Sequence, residues 1–314
     1  MTSKTGSKKP AAASKTPSPL MVALAPRIRE LKFYFHLMAK SATSIAGVAL
    51  IAFLVFLAAF PFLFAAARGI DPYVIPKDWY EPDPQAPSLD GYLFGSGENG
   101  QDIYYGIVWG ARISMAFAIQ IVGVSVIIGT VFGLVSGYKG GAIDEVMMRT
   151  TDIFLSIPSL ILVMAIAAVM GRDLNSTKLA LLAIWWSGYT RLVRGQVLSI
   201  KENTYVDAAR ASGSGELKIM FRHILPNSWA PVVVSATMDM GTVVLVMAGL
   251  SYLGLGAPYG YAEWGVMIQA GQEHFVDGAW WMTVFPGLAI LMFVLAFNLM
   301  GDGLRDILDP KMRR

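Results

Sequence analysis

Few residues in this chain have the type and spacing to do chemistry. Asp239 stands inside the apolar run Ala236-Thr237-Met238-Asp239-Met240-Gly241. An ionisable group in such a run is expensive to keep and is by default a functional candidate. It could line a solute path and meet an amino group, be held by a neighbouring helix for structural reasons, or sit near a water interface. Trp185 and Trp186 could face a pore or lipid, or pack between helices. The three histidines, His36, His223 and His274, are far apart, and none has a His-Glu-x-x-His neighbourhood, so no metal centre is expected. There is no cysteine, which excludes disulfides, thiolate metal sites and thiol nucleophiles. The cluster Gly137-Tyr138-Lys139-Gly140-Gly141 lacks the spacing and the Ser or Thr of a phosphate-binding loop. No catalytic residue, cofactor or metal is expected, and any ATP hydrolysis must come from another polypeptide.

The richest constellation lies at 199–227. Thr204 with Asp207 three residues on reads as a capping-box-like helix start. Val206, Ala208, Ala209 and Ala211 continue a short helix, and Gly213 suits the positive-φ residue just past its end. Ser214 can cap a second helix, which Pro226 ends. The product is an alanine-studded helix–turn–helix elbow. Small side chains let another protein approach closely, and a short rigid helix transmits force, which suits a docking lever. A helix lying on a bilayer surface fits the local pattern as well. A DNA-binding role is disfavoured because both ends of the segment run into apolar stretches, and no nucleic acid is expected as a partner.

These residues must be positioned by helices in a membrane. The 314 residues are 55% hydrophobic and 15% charged, against about 45–50% apolar and about 25% charged in soluble domains. A span needs about 20 helical residues. Six stretches qualify: 44–67, 113–137, 153–171 with Pro158 inside it, 179–198, 229–255 and 281–304. Lipid offers backbone groups no partner, so these must be helices; the alternating strands of a barrel are missing. The 1–43 tail carries Lys4, Lys8, Lys9, Lys15, Arg27, Arg29, Lys32 and Lys40 against Glu30. The gap between the fourth and fifth stretches holds Arg191, Arg194, Lys201, Arg210, Lys218 and Arg222, and the C-terminus ends in Lys311, Arg313 and Arg314. Acids dominate 68–105 and 256–280, while Arg172 and Lys178 run against the pattern. The balance predicts cytoplasmic N- and C-termini.

The expected organisation is a basic cytoplasmic tail over 1–43, a first span over 44–67, an extracytoplasmic segment over 68–105 and a core with five spans over 106–314. The first ~20 residues have a disordered composition. A cleaved signal peptide is disfavoured because the apolar stretch starts late and runs long. The 68–105 segment reads as an ordered cap followed by a short helix into the second span. Pro158 should kink the third span. Gly129, Gly133 and Gly137 should let two helices approach closely, and Trp280 and Trp281 fall where interfacial aromatics are expected.

Asp207-Ala208-Ala209, three residues, Gly213, and then Ile224-Leu225-Pro226 resemble the EAA loop of ABC importer permeases, with Asp in place of Glu at 207. His223 stands where the loop's general pattern, Ile-x-Leu-Pro, has Ile, as is common in the dipeptide/oligopeptide/nickel branch. Gly100-Gln101-Asp102 followed by Gly110-Ala111-Arg112-Ile113-Ser114 is similar to that branch's G-R-D … G-A-R-x-S segment, with Gln101 for Arg. The runs Tyr189 to Gln196, Ala248 to Gly256, Ala296 to Asp306 and Leu308-Asp309-Pro310 also resemble the branch. Family members often carry Glu where this chain has Met247. The resemblance covers about residues 30–314.

It implies an all-α membrane protein with six transmembrane helices, the type I ABC importer permease fold, and a cytoplasmic coupling helix, in a plasma or inner membrane. It implies coupling to ATPase subunits through Asp207, Ala208, Ala209, Gly213, Leu225 and Pro226. The implied translocation path has Asp239, Trp185 and Trp186 as candidates. The implied partners are a second homologous permease, cytoplasmic ATPases, an extracytoplasmic substrate-binding protein and the lipid bilayer. The implied cargo is di- or oligopeptides, with oligosaccharides or chelated nickel as alternatives in the branch. An ion-gradient-driven transporter would instead call for inverted repeats and paired broken helices, and a membrane enzyme for a cluster of catalytic groups at one depth.

Overall fold

The computed structural model describes residues 41–308. The readings on the basic tail and on Lys311, Arg313 and Arg314 lie outside those residues. Nine helices follow one another among the described residues: α1 (Ala42–Ala59), α2 (Ile103–Lys139), α3 (Gly141–Ser156), α4 (Ser159–Met170), α5 (Leu174–Ile200), α6 (Thr204–Ala211), α7 (Glu216–Tyr252), α8 (Trp264–Phe275) and α9 (Trp281–Leu308). No strand occurs among the described residues; two isolated bridges, Val74 to Tyr261 and Ser96 to Asp102, are the strand-like pairings there.

Four of these helices, α1, α2, α7 and α9, are long and apolar enough to cross a membrane, and the bent pair α3 and α4 makes up to five. Among the described residues, length and hydropathy thus give four to five spans and do not confirm the expected six. The helix at the fourth position, α5, is long at 27 residues but too polar to pass. Its surroundings supply the reason. Ala180, Leu181, Val193 and Val197 are fully buried against neighbouring helices, so little of α5 needs a lipid-compatible surface. The other helices turn large apolar side chains outward, among them Phe53, Ile127, Leu245 and Leu291, as hydrocarbon solvent permits.

Two expected boundaries also move. The second span begins earlier than expected: one short 3-10 turn at Glu98–Gly100 precedes it, and α2 then runs unbroken from Ile103, capped by Asp102, whose carboxylate accepts from the Tyr104 and Tyr105 amides. The third span is broken rather than kinked, and α3 and α4 meet at 87°. Ile157 is extended (φ −101°, ψ 136°) in front of Pro158, as the proline ring demands of its predecessor. The α2–α3 turn uses two successive left-handed glycines, Gly140 and Gly141, where a side chain would be strained.

Two apolar cores share α2 and α7. One gathers Leu54 of α1, Trp109 of α2, Val244 of α7, Trp264 of α8 and Phe293 of α9. The other gathers Leu134 of α2, Val163 of α4, Val193 of α5 and Val243 of α7. Residues 60–102 fold over the α8 end as a cap. Backbone bonds from Ile75 to Gly260 and from Ala262 to Tyr73 hold it. Trp281, expected at a water–lipid boundary, is turned inward and donates to the Ser96 carbonyl at 3.0 Å; Trp280 remains half exposed.

The glycine stripe behaves as its spacing predicts. A Cβ on Gly129 would fall 2.7 Å from the Trp186 carbonyl, one on Gly133 2.6 Å from the Thr190 carbonyl, and one on Gly137 2.8 Å from the Val197 Cβ. The backbone of α2 thus lies directly on α5 for more than two turns. Gly133→Leu should force the helices apart, and such overpacking costs about 1–3 kcal/mol, a few degrees of melting temperature in detergent. Gly123→Ala, on the same helix where an added Cβ meets nothing within 4 Å, should melt at or above the parent temperature. Equal melting of the two variants would contradict the close contact.

Candidate functional site

The elbow at 199–227 forms, with a different punctuation from the one its sequence suggests. Asn203, not Thr204, occupies the cap position of α6, and its side chain makes no capping bond to the helix. Asp207 pairs with Arg210 at 2.9 Å instead of reaching back to the helix start. The end of α6 closes as expected. Gly213 takes φ +79°, the Ser214 amide bonds the Ala209 carbonyl and the Gly213 amide bonds the Arg210 carbonyl, which is the Schellman arrangement. Gly215, not Ser214, precedes the next helix.

Pro226 does not end that helix. A wide turn at Met220–Ile224, in which the Leu225 amide bonds the Met220 carbonyl five residues back, absorbs it, and α7 runs on to Tyr252. A proline in a regular helix would press its ring on the carbonyl four residues earlier; the extra residue in the turn relieves that contact.

Of the six elbow residues singled out from sequence, Asp207, Ala208, Gly213 and Pro226 are exposed, Leu225 is half-buried and Ala209 is buried. Val206, Ile219 and Ile224 seat the elbow in the second core. Its outer face presents three apolar side chains that sequence reading passed over: Tyr205, Leu217 and Phe221, exposed at 42%, 70% and 53%. Helical periodicity held that signal, since each lies beside a buried position. The elbow is strapped to the end of α2. Lys139 pairs with Glu216, Lys201 donates to the Gly137 carbonyl at 3.1 Å, and the Arg210 guanidinium lies 5.8 Å from the centre of the Tyr138 ring.

Further along, α3 is tied to α5 by two ion pairs. Arg194 grips both oxygens of Asp144 at 2.6 and 2.7 Å, and Ser136 donates to the same carboxylate. Arg191 meets Asp152 at 2.6 Å.

The intramembrane acid has partners and also borders a cavity. Tyr189 donates to Asp239 Oδ2 at 2.5 Å and the Trp185 indole at 3.3 Å. The cavity, about 380 Å³, is lined by Leu155, Ser159, Trp185, Tyr189, Ser235 and Asp239 among others. Asp239 is thus held by α5 and also borders a cavity. Trp186 points elsewhere: it is buried, packs against Phe132 and Phe154, and donates to the Ala183 carbonyl. Neighbours in a helix project about 100° apart, so only one of the two tryptophans can meet the acid.

At the cap end, Glu98 joins three segments. Its carboxylate accepts from the Tyr259 hydroxyl at 2.6 Å and lies 2.8 Å from His274 Nε2 at the end of α8. The Tyr259 bond first, and then the His274 contact, hold the Glu98 carboxyl below its ordinary range, against a smaller opposing push from burial. Burial, and then the Glu98 carboxylate, push the Tyr259 hydroxyl up, so it stays a donor.

The family described as binding-protein-dependent transport system inner membrane component matches residues 129–314. The dipeptide transport system permease protein DppC of Alkalihalophilus pseudofirmus is 43% identical over 229 residues, 73% of this chain and 75% of its own length. The probable D,D-dipeptide transport system permease protein DdpC of Escherichia coli is 41% identical over 225 residues, 72% of this chain and 75% of its own. DppC of Bacillus subtilis is 36% identical over 276 residues, 88% and 84% of the two chains. Among solved structures, the inward-facing MetNI methionine ABC transporter aligns with TM-score 0.49 and 21% identity, over 65% of this chain and 98% of the other.

The Glu98 junction has a pH signature. A carboxyl whose folded pKa is depressed contributes stability above its unfolded value, about 4.3 for glutamate, and loses it as pH falls through the folded value. Glu98→Gln should speed hydrogen–deuterium exchange over 71–99 at pH 7. The parent protein should converge on the variant as acid protonates Glu98. Identical exchange at neutral pH would show that the junction does not hold the cap.

Proposed function

The chain belongs to the binding-protein-dependent transport system inner membrane components, and from that premise we propose that it forms half of a peptide path driven by ATP hydrolysis on separate subunits. The path would be completed by a second, homologous permease, and an extracytoplasmic binding protein would deliver the cargo. The relatives described above are dipeptide systems, which supports peptides over the branch's oligosaccharides or chelated nickel. In this reading the elbow faces the cytoplasm together with both termini, as the Lys and Arg distribution favours, and the 60–102 cap faces outside.

The observation that carries the proposal is the elbow's construction. It is rigid underneath, where Val206, Ile219 and Ile224 are buried, and adhesive on top, where Tyr205, Leu217 and Phe221 are uncovered. Exposed apolar side chains grouped on α6 and the first turns of α7 fit a protein contact. Ala208 keeps the helix backbone approachable, and Asp207 with Arg210 supplies a charged rim. The ATPase contact would fall here, with Gly213, Leu225 and Pro226 shaping the turn that passes force to α7. ATP must bind one conformation better than the other for the cycle to run, and the elbow is the place where that preference would be delivered. Asp239 and Trp185 would border the path, and Trp186 would support it from behind.

Gly213→Val tests the lever. Nothing crowds a Cβ there, but φ +79° disfavours any side chain and a β-branched one most of all. The variant should insert and assemble, while ATP hydrolysis stimulated by peptide-loaded binding protein falls to near background. Gly213→Asn, which tolerates the left-handed region, should keep most of that activity. Intact stimulation in the valine variant would remove the elbow from the mechanism. In proteoliposomes, uptake should stop with vanadate and survive an ionophore; the reverse would assign the work to an ion gradient.

A further inference from the structure

The cavity beside Asp239 has a feature that membership in a transport family does not explain. Asp239 lies about 20 Å along α7 from Tyr252, at about 1.5 Å per residue, well inside the span. No Lys, Arg or His among the described residues pairs with it. A carboxylate in a poorly solvated site is costly unless a positive group meets it. The chain supplies donors, Tyr189 and Trp185, but both bind the same oxygen, Oδ2. Oδ1 accepts none of the described hydrogen bonds, and Asp239 lines the cavity.

That asymmetry narrows the ligand. A guanidinium prefers to bridge both carboxylate oxygens, and Oδ2 is already doubly engaged. A metal ion would want several ligands, and the described residues hold no group of His, Asp or Glu able to bind one. A primary ammonium carries three donors on one compact centre. Oδ1 can take one, and the hydroxyls of Ser159 and Ser235 stand on the same walls. Leu155, Ile184 and Leu192 line the remainder and suit an adjoining apolar side chain. The volume of about 380 Å³ falls within the range of about 300–1,000 Å³ usual for small ligands. A single free oxygen also gives a foothold weak enough to leave, which conduction requires.

We propose that this cavity is a waypoint for a primary ammonium group, which docks on Asp239 Oδ1 as cargo passes. The inference rests on the peptide-importer reading above and specifies what the path recognises. A peptide's α-amino group and a lysine side chain share this chemistry.

The test uses the assembled membrane complex in nanodiscs without the binding protein, so that the latter's own selectivity plays no part. The probes are alanyl-alanine amide, N-acetyl-alanyl-alanine amide and N-acetyl-lysine methylamide, titrated calorimetrically against the parent and Asp239→Asn complexes. Asparagine keeps one carbonyl acceptor for Tyr189 and Trp185, removes the charge and puts an NH2 donor in place of the docking oxygen. The parent complex should bind the free-amine dipeptide at least about tenfold more tightly than its acetylated form, as expected for a hydrogen bond to a charged group, and the variant should lose that preference. Binding of the lysine probe as well would mark a site for any primary ammonium; its failure would restrict the site to the peptide terminus.

An unchanged preference in Asp239→Asn, or no binding of either amine by the parent, would overturn the proposal. Should Asp239→Asn fail to assemble, Tyr189→Phe, which leaves the charge in place, should retain the preference, and its loss there would equally overturn it. Uptake of a dipeptide by the complete parent importer is measured alongside. Uptake without Asp239-dependent binding refutes only the waypoint, whereas no uptake refutes the importer reading itself.

Discussion

Over Gly129, Gly133 and Gly137, α2 meets α5 with no side chain of its own between the two backbones. In lipid there is no hydrophobic gain from pressing two apolar helices together, so close contact of many atoms has to supply the attraction. That contact sets the depth and rotation of α5, and much else is referred to it. The Tyr189 Cβ that rests on Gly129 belongs to the side chain whose hydroxyl holds Asp239. One turn on, Arg191 and Arg194 face α3. The helix too polar to pass for a membrane span is thus the one with neighbours to satisfy its polar groups.

The ion pairs around α5 are better understood as positioning devices than as sources of stability. Arg191 and Asp152 are each at least half exposed, and pairs of that kind contribute about 0–1 kcal/mol. Arg194 and Asp144 are less exposed and bidentate, with Ser136 on the same carboxylate. Their fork geometry constrains the angle at which α3 leaves the double-glycine turn. The 87° break at Pro158 then swings α4 across α5. The wall of the cavity is therefore built from both sides of a break, Leu155 before it and Ser159 after it.

What was legible in the sequence was whatever depends on local pattern. The glycine stripe could be read from its four-residue spacing, the Gly213 turn from its position after a short helix, and the apolar spans from length. What depends on a neighbour could not. The size of the break at Pro158 is set by what α4 packs against, and the polarity of α5 misleads until its burial is seen. Pro226 looked like a stop because a proline ends a regular helix, whereas the wide turn before it removes the clash. Thr204 looked like a cap, yet Asp207 has Arg210 within reach. For the acid, sequence offered three alternatives, and it took the arrangement of Trp185 and Tyr189 on α5 to show that its hydrogen-bond partners come from a neighbouring helix.

The same wide turn bears on how the elbow and the acid could communicate. α7 carries both: Glu216 to Ile224 lie in the elbow, and Asp239 lies about four turns further on at about 3.6 residues per turn. α5 enters the elbow from the other side and carries Trp185 and Tyr189. The two helices that hold Asp239 are therefore the two that the elbow joins. In the proposed cycle a push on the elbow loads both at once, but not equally. α5 is pinned by the glycine contact and by the Arg194–Asp144 fork, while α7 has a turn of irregular hydrogen bonding at Met220–Ile224, the natural place for a helix to yield. Sliding or tilting of α7 against a fixed α5 would act first on the Tyr189–Asp239 bond, changing how much of the carboxylate the cavity sees.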